Sequence, residues 1–177
     1  MKYYFPLHFD AGNRGCEAIS KGTALILNKK RTQMIGLCRD ITLDRKMGVD
    51  NFFQLQPTPR WSFVDKIKRA VYYKIENDFS KKKEFNYRHN YLSFLKQATK
   101  DDLVLSTGGD MMCYDNNEVL YTANYAHEHG IKSILWGCSM GYLNLTKEKE
   151  HTLRNLDLIY ARESLSFDFL KKLGLKR

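Results

Sequence analysis

Tyr3-Tyr4-Phe5-Pro6-Leu7-His8-Phe9 runs straight into Asp10-Ala11-Gly12-Asn13-Arg14-Gly15, and a helical pattern opens at Cys16-Glu17-Ala18-Ile19. An apolar run, a glycine-bearing turn and a helix in that order are one βα unit of a parallel sheet. The same device recurs three times. Leu103-Val104-Leu105-Ser106-Thr107 meets Gly108-Gly109-Asp110, and Ile131-Lys132-Ser133-Ile134-Leu135-Trp136 meets Gly137-Cys138-Ser139-Met140-Gly141. Leu158-Ile159-Tyr160-Ala161 meets Arg162-Glu163-Ser164. Strands alternating with helices predict a doubly wound, mostly parallel α/β sheet covered on both faces. In such sheets ligands bind beyond the carboxyl ends of the strands, so four turns are expected to share one rim.

The pattern spreads outward unevenly. A helix is expected over 16–28 with Ile19, Thr23, Ile26 and Leu27 near one face, and Gln33–Leu37 reads as a second strand. Residues 40–60 read as irregular, with Pro57 and Pro59 as breakers. From 61 to 99 Trp61, Val64, Ile67, Val71, Tyr72 and Ile75 recur at helical spacing among Lys66, Lys68, Arg69, Lys74 and Lys81-Lys82-Lys83. That is a basic, partly amphipathic helical insertion in a single Rossmann-like domain. It either packs its apolar face on its own domain or lies at a membrane surface. Helices are expected at about 117–129, 146–156 and 163–173, with Gly174 capping the last. Leu175 stands where a further strand would begin, so the chain reads as the first half of a longer α/β design.

The 177 residues carry 29 Lys or Arg against 20 Asp or Glu, a net +9. That balance admits nucleic acid, an anionic membrane or an acidic substrate. Nucleic acid ranks last, because no recognition motif accompanies the charge. Cys16, Cys38, Cys113 and Cys138 lie far apart without a C-x-x-C pair, so neither a zinc site nor a cofactor is expected. Scattered free cysteines and the lack of an apolar leader fit a reduced, cytoplasmic setting.

Each turn has a chemical reading. Gly12 and Gly15 flank Asn13, which tolerates tight backbone, and Arg14, whose planar fork matches carboxylate or phosphate. The loop is neither a Walker A loop nor G-x-G-x-x-G, and a plain strand-to-helix turn with Arg14 in solvent would look the same. Gly108 and Gly109 let a ligand approach backbone amides, and Asp110 is a candidate general base or hydroxyl ligand, or else a cap. Gly137 and Arg162 complete the candidate set, with Ser164 as the expected cap of the last helix.

Taken together, Gly12-Asn13-Arg14-Gly15-Cys16-Glu17-Ala18, Asp102 to Asp110, Ser133 to Gly141 and Ile159 to Ser166 resemble the polysaccharide pyruvyl transferase family. Order and spacing agree except over 40–100. The resemblance implies transfer of pyruvyl from phosphoenolpyruvate to a sugar hydroxyl, and a fold similar to two-domain GT-B transferases with the active site between the halves. It implies phosphoenolpyruvate and a saccharide or lipid-linked saccharide as partners, and nothing in the sequence demands a metal. Asp10, Gly12, Asn13, Arg14, Gly108, Gly109, Gly137 and Arg162 would then contact substrate, with Asp110 catalytic. The second half, which would hold most of the donor site, is expected to be missing from these residues. A non-catalytic glycan- or anion-binding module of the same fold and a GT-B glycosyltransferase fragment are the competing readings.

Overall fold

The computed structural model describes residues 1–9 and 12–175. Among them six strands form one sheet in the order β3-β2-β1-β4-β5-β6, every neighbouring pair parallel. The strands are β1 Tyr3–Phe9, β2 Met34–Cys38, β3 Gln54–Pro57, β4 Leu103–Met112, β5 Lys132–Met140 and β6 Leu158–Ala161. The helices are α1 Arg14–Leu27, α2 Ile41–Lys46, α3 Phe63–Ile75, α4 Phe79–Leu95, α5 Glu118–Glu128, α6 Lys147–Asn155 and α7 Ser164–Lys172. Strand order grows leftward from β1 to β3, then restarts at β4 on the other side of β1. The connection reverses direction there, which makes the β1–β4 junction the topological switch point.

The central strand feeds two cores, one on each face, and the irregularity between Phe5 and Phe9 turns Leu7 to the same side as Tyr4. Tyr3, Phe5 and Phe9 join Ala24 of α1, Met34, Cys38, Val49 and Phe53. The rings of Phe5, Phe9 and Phe53 meet edge-to-face at 4.9 to 6.3 Å. Tyr4 and Leu7 join the larger core with Tyr91, Phe94 and Leu95 of α4 and Val119, Leu120, Ala123 and Ala126 of α5. Tyr4 packs on Phe94 at 5.5 Å, and its hydroxyl donates to the Gln97 carbonyl at 2.9 Å.

Three readings of the sequence change. The stretch 40–60 is not irregular: the Asp40 carboxylate caps α2 by accepting from Thr42 N and Leu43 N at 3.0 Å, and Gln54–Pro57 pairs with β2. That strand is four residues long, ends in proline and has no apolar alternation, so only pairing defines it. Helix α1 buries Thr23 of the expected face with Ser20 and Ala24 and half-buries Ile19 and Leu27, but Ile26 is 68% exposed. Helix α4 is integral to the sheet packing, because the chain must cross from β3 over the sheet to reach β4. Leu173 ends α7, and Gly174 follows in left-handed backbone (φ 74°), with Leu175 N donating to Leu170 O at 3.1 Å.

The start of the chain is pinned by Asp102. Its carboxylate accepts from Lys2 N at 2.6 Å, Thr99 N at 3.0 Å and the Thr99 hydroxyl at 2.9 Å. Burial pushes this carboxyl up, but those donors together outweigh it and hold the group below its ordinary range. Asp102→Ala is expected to cost about 1–2 kcal/mol in urea melts at neutral pH, since three part-buried bonds lose their acceptor. A carboxyl held low stabilises above its unfolded value of roughly 4 and loses that contribution as pH falls through the folded value. The gap between wild type and variant therefore closes in acid; a gap constant down to full protonation contradicts the assignment.

Candidate functional site at the carboxyl edge

The turn after β1 is built by its own side chains. Asn13 is the N-cap of α1, and its Oδ1 accepts from Gly15 N at 2.8 Å and Cys16 N at 3.3 Å. Arg14 therefore stands in the first helical turn, not in the loop. Its side chain is 74% exposed and pairs with Glu17 at 2.6 Å, which also holds Lys21 at 2.7 Å. The bonds from Lys21 and Arg14 lower the Glu17 carboxyl. Gly12 lies in the exposed turn before the cap. Asp10 lies outside the described residues.

The segments after β4 and β5 differ from the loops expected. Both strands continue through their glycines, β4 to Met112 and β5 to Met140. What the glycines make is bulges. Register slips between Gly109 and Met112 on β4 and between Trp136 and Cys138 on β5, with Gly109 at φ 46° and Gly137 at φ 66°. Those backbone angles favour glycine, and bulges re-aim side chains at sheet edges. Gly108 lies within β4 just before the first bulge. Below it the Thr107 hydroxyl is buried with no hydrogen-bond partner among the described residues.

Within the bulge Asp110 is exposed and accepts from the Tyr114 hydroxyl at 2.6 Å. That bond, more than anything else, raises the Tyr114 phenol. Asp110 does not cap a helix; Asn117 caps α5, accepting from Val119 N at 3.0 Å. Arg162 is exposed after β6, and its N–H donates to the Cys138 carbonyl at 2.9 Å. Ser164 is not the cap of α7: Glu163 occupies that position. The Glu163 carboxylate accepts from the Ser166 hydroxyl and from the Ser139 hydroxyl at 2.8 Å, while Ser166 Oγ accepts from Met140 N at 2.7 Å. Those hydroxyl bonds, Ser166 first, hold the Glu163 carboxyl low despite some desolvation.

Cys113 reports how these groups converge. Burial raises its thiol, Asp110 and Glu163 push it further up, and Lys149 and Arg162 pull it down. The ends of β4, β5 and β6 meet in the backbone: Gly109 pairs with Cys138, whose carbonyl accepts from Arg162 N. Burial also pushes Cys38 and Cys138 up to about 12, so neither is a thiolate nucleophile near neutral pH.

Sequence reasoning missed two features here. The Lys149 side chain is buried, and its ammonium donates to the carbonyls of Tyr114, of Asn144 at 2.8 Å and of Met112 at 3.3 Å. It ties the Asp110 segment to the loop after β5, and burial lowers its pKa. Nothing local marks a lysine in a polar helix as such a clamp. The second is a crevice of about 210 Å³ at the switch point, lined by Phe9, Cys16, Arg39, Asn90, Tyr91 and Met111 among others. Arg39 stands 3.7 Å from Glu118 across it. These residues come from five separated segments, so no spacing signals them. A larger groove of about 870 Å³ lies between α4 and α5, with Tyr87, Tyr121 and Tyr125 on its walls. It sits on the helical face rather than over the glycine bulges, so size does not make it the centre of the rim. Among the described residues no group of three His, Cys, Asp or Glu side chains is placed to hold a metal.

The arrangement offers a carboxylate, two exposed guanidinium groups and opened backbone along one edge, suited to hydroxyl-rich and anionic ligands. No curated protein and no solved structure matches the chain. A family model, described as polysaccharide pyruvyl transferase, matches residues 13–177, nearly its whole length. The capped turn at Asn13, the bulged Gly109 and Gly137 strands and the Arg162 segment all fall within that match, and the chain belongs to the polysaccharide pyruvyl transferase family.

Proposed function

We propose that the chain serves the transfer of pyruvyl from phosphoenolpyruvate to hydroxyls of a saccharide, free or lipid-linked, in surface polysaccharide assembly on the cytoplasmic side. Family membership supports the reaction class. The observation that carries the assignment to this edge is the meeting of the bulged ends of β4 and β5, one bearing Asp110, with the Arg162 segment bonded to Cys138.

In that reading the acceptor hydroxyl adds to C2 of the enol, the methylene takes a proton, phosphate leaves, and a second hydroxyl closes the ketal. Two sugar O–H bonds are lost, one proton ends on the new methyl and the other on phosphate or solvent. Asp110, exposed and hydrogen-bonded to Tyr114, is the base that takes the acceptor proton. Arg14 and Arg162 attract the anionic donor, and Gly108, Gly109 and Gly137 keep side chains out of its approach. Gly12 and Asn13 belong to the turn that borders the acceptor, with Asn13 acting mainly through the loop it holds.

The test is phosphate release and formation of an acid-labile ketal when the chain is mixed with phosphoenolpyruvate and saccharide acceptors. Donor binding by calorimetry is expected to weaken about tenfold in Arg162→Ala, the loss of one charge-assisted contact. Saturable binding of a nucleotide sugar, with none of phosphoenolpyruvate, overturns the reading in favour of glycosyl transfer.

A further inference from the structure

Helix α3 has its apolar side outward. Phe63, Val64, Ile67, Val71 and Ile75 are 78%, 57%, 49%, 51% and 75% exposed, and no α3 residue is buried. At 100° per residue these five span about 120° of the helix surface, a continuous stripe. Lys74, at about 20°, falls within it near the Phe63 edge, and Lys68, at about 140°, lies just past the Ile75 edge. Phe79, 69% exposed, follows just beyond the helix end, with the Lys83 ammonium 4.9 Å from its ring centre.

The opposite side of α3 is the one that packs. Tyr72 stacks on Phe85 of α4 at 4.7 Å, and Tyr73 Oη accepts from Asn86 Nδ2 at 2.5 Å and donates to the Lys82 carbonyl at 3.3 Å. Arg69 lies 5.0 Å over the ring of Trp61, which stacks on His89 at 3.7 Å. The Ser62–Asp65 capping box fixes the start of the helix. So the helix is held firmly by its polar-aromatic side, and the apolar stripe is presented rather than left over. Residues 60–83 hold eight Lys or Arg against three Asp or Glu, a net +5 within the chain's +9.

We propose that α3 lies flat on an anionic lipid surface, its Phe63–Ile75 stripe in the acyl boundary and the surrounding lysines on phosphate headgroups. Low overall hydropathy, a strongly segregated apolar face and flanking lysines are the marks of an interfacial helix. Charge selects the occupant: a second copy would bring the same net +5 against itself, whereas an anionic bilayer complements it. Among the described residues no helix is long and apolar enough to cross a membrane, so contact on this side is peripheral. This inference does not depend on the chemistry assigned to the rim.

The full chain is mixed with phosphatidylcholine vesicles, with and without phosphatidylglycerol, and sedimented. Binding is expected only to the anionic vesicles and to fall with added salt. Ile67→Asp/Val71→Asp is expected to weaken it at least about tenfold at unchanged melting temperature, because both side chains are already half open. Lys68→Ser/Lys74→Ser is expected to reduce the anionic preference. The proposal is overturned by absence of vesicle binding, by equal binding of wild type and the aspartate variant, or by a dimer that the aspartate variant dissociates.

Discussion

Asp110→Asn is expected to lower pyruvyl transfer by about 10²–10⁴-fold while saccharide binding stays nearly unchanged. Asparagine keeps the size and the oxygen that accepts from Tyr114, but it cannot take a proton. A loss confined to turnover separates a base from a residue that merely holds sugar. Tyr114→Phe is the companion variant. It removes the 2.6 Å bond to the carboxylate, so its effect on turnover isolates what that bond contributes. Equal losses of binding and turnover in Asp110→Asn, or full activity, remove Asp110 from the base role.

Lys149→Met is expected to be the most damaging single change to stability, by roughly 2–4 kcal/mol. Methionine fills much the same space but leaves the Met112, Tyr114 and Asn144 carbonyls without their donor. For a chain of this size the melting temperature should drop by about 10 °C. The same change frees the segment that carries Asp110, so turnover should fall further than the population of folded protein explains. Lys149→Arg, which retains the charge, tests geometry. A Lys149→Met variant as stable as wild type refutes the clamp.

The sheet was legible because each βα unit announces itself locally: an apolar run, glycine, then helical spacing. In the sequence Asn13 reads only as a residue suited to a tight turn; the structure makes it the N-cap of α1. Gln54–Pro57 was illegible because its strand state comes from pairing with β2, not from its own residues. The glycines at 109 and 137 signalled a break in regular backbone, but sequence does not distinguish a turn from a bulge inside a continuing strand. Arg39 and Lys149 were invisible for a different reason. Their roles arise only when distant segments meet, one across the switch point and one beneath the rim.

The stripe on α3 marks the limit from the other side. Its spacing was plain, but periodicity alone does not say which face a helix buries. The outcome turned on Tyr72, Tyr73 and Trp61, whose rings and hydroxyls gave the polar side the better partners on α4.

The chain has two tryptophans, and the fold has put one in each region of interest. Trp136 sits one residue before the Gly137 bulge and meets Tyr160 edge-to-face at 4.5 Å, while Trp61 rests on His89 beside the amphipathic helix. The molecule thus carries its own pair of optical reporters. With either indole replaced by phenylalanine, the emission of the other isolates events at one place, so arrival of a small acid and landing on a vesicle can be followed separately without attaching a dye.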